Sequence, residues 1–166
     1  MIIACGGCDR WTCLDTVEAY DPKTDGWKAL PKLKTPRRGC AVAVVRGNFS
    51  HFSFLLRCHI LKAGYFHIFF IVSKDFYQQR KTFLKMALIL CLDSLYVIGG
   101  HDGTQSLSSV EILDHPSAQW RLGPSLLGPR ANTHAVVTAG SAIYVIGGFD
   151  GTQFLSSMEV LDSGMS

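Results

Sequence analysis

The sequence predicts an all-β chain assembled from repeated strand units, and three observations carry that prediction. A glycine doublet occurs three times, at Gly6-Gly7, Gly99-Gly100 and Gly147-Gly148. Fixed offsets from its first glycine return the same chemistry. An Asp follows three residues on (Asp9, Asp102, Asp150), a Glu twelve on (Glu18, Glu111, Glu159) and an Asp fifteen on (Asp21, Asp114, Asp162). A Trp stands twenty-one on (Trp27, Trp120), and an Arg after Pro ten beyond that (Arg37, Arg130). Finally, short β-rich runs alternate with turn residues throughout, and none shows the apolar period of a helix.

Taken in order within one unit, the runs 94–98 and 142–146 are continuously apolar, as strands covered on both faces must be. They are the inner strands. The glycine pair then lets the backbone turn sharply and approach a neighbour, since glycine reaches positive φ without a Cβ penalty. Asp102-Gly103 and Asp150-Gly151 mark a tight connection. Runs 14–20, 107–113 and 155–161 return as half-alternating strands. A turn over 21–26 or 114–119 leads to a short strand begun by Trp27 or Trp120, and Pro36-Arg37 or Pro129-Arg130 opens the next run, 40–45 or 135–138. Four strands in a period of about 48 residues make a propeller blade.

The period is broken once. The second and third doublets lie 48 residues apart, whereas the first and second lie 93 apart. The extra stretch holds eight of the ten Phe, and residues 48–92 carry six Lys/Arg against one acid, so they contribute +5 to a total of +3. A nucleic-acid partner inferred from the pI of 8.6 would rest on that stretch alone. Gly47-Asn48 is encodable with a GT donor and Leu92-Asp93 with an AG acceptor. Joining the flanks there removes 46 residues and resets the first spacing to 47. The expected organisation is therefore 1–46 repeat, 47–93 a retained intron or insertion of irregular or helical apolar chain, and 94–166 repeat. A genuine long loop is a second reading, because loop closure costs little extra with length. A membrane segment is a third; its longest uncharged run, 63–73, is far short of the roughly 20 residues a span needs.

Composition excludes disorder: the chain is 48% apolar and 17% charged over 166 residues. Cys5, Cys8, Cys13, Cys40, Cys58 and Cys91 follow no secretory signal, so they read as reduced thiols of a cytoplasmic protein. Cys5-Gly-Gly-Cys8 has CxxC spacing without a second ligand pair, so neither a metal nor another cofactor is expected.

The set Tyr-Val-Ile-Gly-Gly (96–100), Val-Glu-Ala-Tyr-Asp-Pro (17–22) with Trp27 six residues after Asp21, and Pro-Arg before an Ala-Val run resembles the Kelch-repeat β-propeller of the Kelch-like (BTB-BACK-Kelch) family. The resemblance covers about residues 1–46 and 94–166. It departs from the pattern at Leu113 and Leu161, where the family has the Tyr seen here as Tyr20, and no BTB or BACK segment is present. It implies a partial Kelch propeller of two to three four-stranded blades: the last three strands of one, all four of the next and the first three of a third. Such a fragment, with two open sheet faces, is expected to be marginally stable or prone to aggregate.

Recurrence at one offset assigns Gly6, Gly7, Gly99, Gly100, Gly147, Gly148, Glu18, Glu111, Glu159, Trp27, Trp120 and the two arginines to the structure of the repeat. Positions that vary between copies, in loops on a rigid frame, are the candidates for binding. Arg10, Trp11, His101, Gln105, Phe149 and Gln153 follow the doublets; Arg38 and Asn132 follow the Pro-Arg pairs on the same side. A face offering Arg, Trp, Phe and His suits a peptide hot spot. The resemblance implies a protein-interaction module like the substrate-recognition propeller of a cullin-RING ubiquitin ligase adaptor, meeting the cullin through domains absent here. An actin-associated scaffold is the alternative. An oxidase of the kind also built on Kelch blades would need converging Tyr, His and Cys ligands, and no such spacing occurs. No catalytic residues and no nucleic-acid or membrane partner are expected.

Overall fold

The computed structural model describes residues 2–10, 12–46, 57–60, 66–69, 93–138 and 141–162. Twelve strands are described and no helix among these residues; in particular, no helix is long and apolar enough to cross a membrane. The first sheet contains β1 (Ile2–Cys5), β2 (Val17–Asp21) and β3 (Gly26–Leu30), paired in that order. The second begins with β4 (Ala41–Arg46). After β5 (Arg57–Ile60) and β6 (Phe66–Phe69) it resumes with β7 (Asp93–Ile98), β8 (Val110–Leu113) and β9 (Arg121–Leu122), in the order β4-β7-β8-β9. The third comprises β10 (His134–Val137), β11 (Ile143–Ile146) and β12 (Met158–Leu161). All neighbours are antiparallel, and the three, four and three strands make a partial Kelch-type propeller.

The segment between β4 and β7 was expected to be irregular or helical. Where it is described, it is instead a hairpin: β5 pairs with β6 from Arg57↔Phe69 to Ile60↔Phe66 and joins neither blade by hydrogen bonds. Its second strand, β6, nevertheless lies beside β1, the edge strand of the first sheet. The remainder of 47–92 lies outside the described residues.

The period-2 alternation of β7 explains its continuous apolar run. Leu95 and Val97 point to one side, where Val42, Leu113 and Trp120 meet Ile3, Val17 and Ala19 of the first sheet and Leu33 of the loop that follows it. Tyr96 and Ile98 point to the other, where Val110 and Ile112 meet Ala135, Ile143, Val145 and Leu161 of the third sheet. The middle blade is therefore buried on both faces. The described residues leave the far face of the third sheet open, with Ile146, Met158 and Val160 exposed.

Each blade is tied to the next beside its glycine doublet. Gly99 (φ 61°) bends the chain so that Gly100 N–H donates to Arg130 C=O at 2.9 Å. Arg130 N–H donates to Leu107 C=O at 3.0 Å. A Cβ on Gly99 would be driven into the Arg130 carbonyl oxygen. Gly99→Ala is thus expected to lose the roughly 1–2 kcal/mol of a left-handed alanine and more from the displaced loop. Gly128→Ala, whose Cβ would meet nothing within 4 Å, should stay within about 0.5 kcal/mol. Urea midpoints of the two variants test the contrast.

Candidate functional site

Three equivalent loops follow the doublets and lie side by side at one end of the blades. Each is closed by a two-residue bridge, Cys8↔Cys13, His101↔Ser106 and Phe149↔Phe154. In each, an aspartate builds the turn. Asp102 Oδ1 accepts from the Thr104 and Gln105 amides, both at 2.8 Å, and from Thr104 Oγ1 at 2.7 Å. Asp150 repeats this with Thr152 and Gln153, and Asp9 with Thr12. Aspartate suits the task because its short side chain reaches amides two and three residues on.

Those donors hold Asp102 and Asp150 down to about 2, first through the threonine hydroxyl and then through the amides. A carboxyl whose folded value is depressed contributes stability that is present above its unfolded value and lost as pH falls through the folded one. The second and third loops should therefore keep their shape at pH 3 to 4 and open only near pH 2. NMR titration of the Asp102 carboxyl should return an apparent value near 2 that rises on Thr104→Val.

The loops are stitched to one another. Arg38 and His101 exchange backbone hydrogen bonds of 3.0 and 2.9 Å, and Ala131 and Phe149 exchange bonds of 2.9 and 2.8 Å. Asn132 N–H donates to Gly39 C=O at 2.8 Å. Gly39 (φ 58°) and Asn132 (φ 52°) occupy equivalent left-handed positions, which Asn tolerates better than most side chains. The structure thus places Arg38, His101, Asn132 and Phe149 in one row. His101 Nδ1 accepts the Gly103 amide at 2.9 Å, which orients its ring. Arg10, Gln105 and Gln153 are exposed on the loop tips, and Trp11 lies outside the described residues.

Sequence reasoning overlooked two apolar side chains. Phe154 is 85% exposed and packs against Phe149, with ring centroids 5.2 Å apart. Leu127 is 97% exposed, ahead of Pro129-Arg130. The signal for Phe154 lay in the alignment of the copies, where its equivalents are Cys13 and Ser106.

The repeated charges sit away from this face. Arg37 is fully buried; its Nη2 meets Glu111 Oε1 at 2.6 Å, and its Nη1 donates to Gly99 C=O at 2.9 Å and Ser109 C=O at 3.2 Å. Glu111 also accepts the Lys34 and Thr35 amides at 2.7 and 3.0 Å. Arg130 repeats the strut with Glu159 Oε1 at 2.7 Å, Gly147 C=O and Ser157 C=O. Glu18 has no such arginine among the described residues. Trp120 is buried with its indole N–H on Pro31 C=O at 2.7 Å, whereas Trp27 is 49% exposed beside Tyr20. Among the described residues no group of three or more His, Cys, Asp or Glu is placed to hold a metal.

A family model for the Kelch motif matches residues 1–34, 90–127 and 130–164, one stretch for each blade. The influenza virus NS1A-binding protein homolog of Mus musculus is 49% identical over 47 residues, covering 28% of this chain and 7% of that protein. Kelch-like protein 24 of Homo sapiens is 32% identical over 130 residues, covering 69% of this chain and 19% of that protein. Kelch-like protein 35 of Homo sapiens is 28% identical over 142 residues, covering 84% and 24%. The matches thus span at most about a quarter of the length of these relatives.

Proposed function

The chain belongs to the Kelch-repeat family, a protein-interaction fold, and on that footing we propose that its stitched loop face binds a peptide segment of a protein partner. The observation that carries this reading is the row Arg38, His101, Asn132 and Phe149, held by interblade backbone bonds rather than by free loops. A preorganised row loses little conformational freedom on binding. The Phe149–Phe154 pair offers an apolar anchor, and Arg38 and Arg10 supply cations for an acidic segment. The module recognises and does no chemistry of its own.

Within the family, we place it as the substrate-recognition part of a cytoplasmic cullin-RING ubiquitin ligase adaptor. The test is affinity capture from cytosol with the full-length gene product, compared with its Arg38→Ala/Phe149→Ala variant, after circular dichroism shows equal folding. A cullin retained by both proteins, and a second protein lost only with the variant, would support the reading. Co-sedimentation with filamentous actin and no cullin would favour the scaffold reading instead. An identical set of captured proteins would remove the loop face from consideration.

Residues 47–92 are, in the same reading, an addition to the folding unit. β4 and β7 pair up to Arg46↔Asp93, the borders of the added stretch. Direct joining would leave Arg46-Asp93 as a two-residue connection closed at Val45↔Ser94, a standard hairpin length. The third sheet closes at the equivalent place, where Thr138 N–H donates to Ala142 C=O at 3.0 Å. A variant lacking 47–92 should be at least as stable as the full chain and aggregate less. Loss of cooperative unfolding in it would show the stretch to be part of the fold, and sequencing of the transcript would show whether it is retained in the message.

A further inference from the structure

We propose that Cys8 and Cys13 form a reversible dithiol–disulfide site at the rim of the loop face, oxidised by a small-molecule disulfide of the glutathione class. The two residues face each other across the first loop as an antiparallel bridge. The flanking bonds are Asp9 N–H to Thr12 C=O at 3.1 Å and Leu14 N–H to Gly7 C=O at 2.9 Å. That pattern makes Cys8↔Cys13 a non-hydrogen-bonded pair, whose Cα atoms typically stand about 4.5 Å apart with side chains on one face. Such a separation falls within the window a disulfide requires, roughly 4.4–6.8 Å.

The repeat supplies an independent view of the same positions. The equivalent residues Phe149 and Phe154 bring their rings to 5.2 Å, so side chains at this pair meet. Both positions are cysteine only in the first blade; the second has His101 and Ser106. Both thiols are reduced in the structure and only partly buried, in contrast to the deeply buried Cys5 and Cys40. Burial raises the Cys13 thiol, and the neighbouring Cys8 sulfur adds to that, in keeping with their proximity.

In the reaction one cysteine thiolate attacks a sulfur of the oxidant, breaking its S–S bond and releasing one small thiol. The second cysteine thiolate then displaces the other small thiol from the mixed disulfide. Two electrons pass from the protein sulfurs to the oxidant, and the two cysteine protons leave on the released thiols. Closure would end the donation from Cys13 Sγ to His101 C=O, now 3.3 Å. It would also cross-brace the loop that carries Asp9, Arg10 and Thr12.

The experiment equilibrates the full chain with reduced and oxidised glutathione, traps thiols by rapid alkylation and maps peptides by mass spectrometry. The expected product is a Cys8–Cys13 linkage, lighter by about 2 Da for the two hydrogens lost and restored by dithiothreitol. Hydrogen exchange of amides 9–12 should slow when it forms. Cys58→Ser/Cys91→Ser should give the same linkage, and Cys13→Ser should leave only glutathione on Cys8. Continued alkylation of both cysteines at the most oxidising ratio, or their linkage to other cysteines in the Cys58→Ser/Cys91→Ser variant, would overturn the proposal. Neither readout depends on a binding partner.

Discussion

Replacing Arg37 with alanine is expected to cost about 3–5 kcal/mol, because it strands a buried carboxylate. Glu111 is as inaccessible as Arg37 itself. Without the guanidinium its charge would be left with only the Lys34 and Thr35 amides, and the Gly99 and Ser109 carbonyls would lose a shared donor. A typical domain is stable by only about 5–15 kcal/mol, and a chain with open blade faces lies towards the lower end. Arg37→Ala should therefore be largely unfolded at 25 °C, read as lost β circular dichroism and lost soluble yield. Arg37→Lys keeps the charge but lacks the planar fork that reaches five acceptors, so an intermediate loss is expected. Arg130→Ala should cost less than Arg37→Ala, since Arg130 and Glu159 retain 5% and 10% side-chain exposure and water can reach the stranded group. Equal losses at the two arginines would mean that burial does not set the penalty.

How much of this was legible beforehand depends on which physical signal each part carries. The blades were legible because glycine at positive φ and apolar residues at period two leave a mark in every copy, as at Gly99-Gly100 and along 94–98. The doubled role of β7, feeding two cores from alternate residues, follows from the same pattern. The pairing of Arg37 with Glu111 in preference to Glu18 was not legible, because a strut between neighbouring units needs the register of the sheets, which offsets alone do not give. The loop face was legible only as a set of variable positions. That Arg38 sits beside His101, and Phe149 beside Ala131, depends on backbone bonds between residues 63 and 18 positions apart in sequence. The hairpin β5–β6 carried no repeat signal at all, so nothing in the chain's own periodicity marked it as strand. The Cys8↔Cys13 bridge was hidden for another reason: attention to CxxC spacing pairs Cys8 with Cys5, which points into the core instead.

Trp120→Ala and Trp27→Ala should diverge even though the two residues hold the same place in the repeat. Trp120 is 2% exposed and packs among Ile3, Val17, Leu33 and Leu113, between the first and second blades. Its removal leaves a cavity that the surrounding strands cannot close, and it leaves the Pro31 carbonyl without its donor. Large aromatic truncations of this kind cost about 3–5 kcal/mol. Trp27 lies on the outward side of the first blade, half exposed, with Tyr20 at 5.3 Å as its aromatic neighbour. Its loss removes one aromatic pair and part of a ring already in water, so about 1 kcal/mol is expected. Trp120→Phe separates the two contributions, keeping most of the ring and deleting the N–H. About 1 kcal/mol should remain for the part-buried Pro31 carbonyl left without its donor. Denaturant midpoints of the three variants measure the series directly. If Trp27→Ala costs as much as Trp120→Ala, the outward face of the first blade is covered in solution.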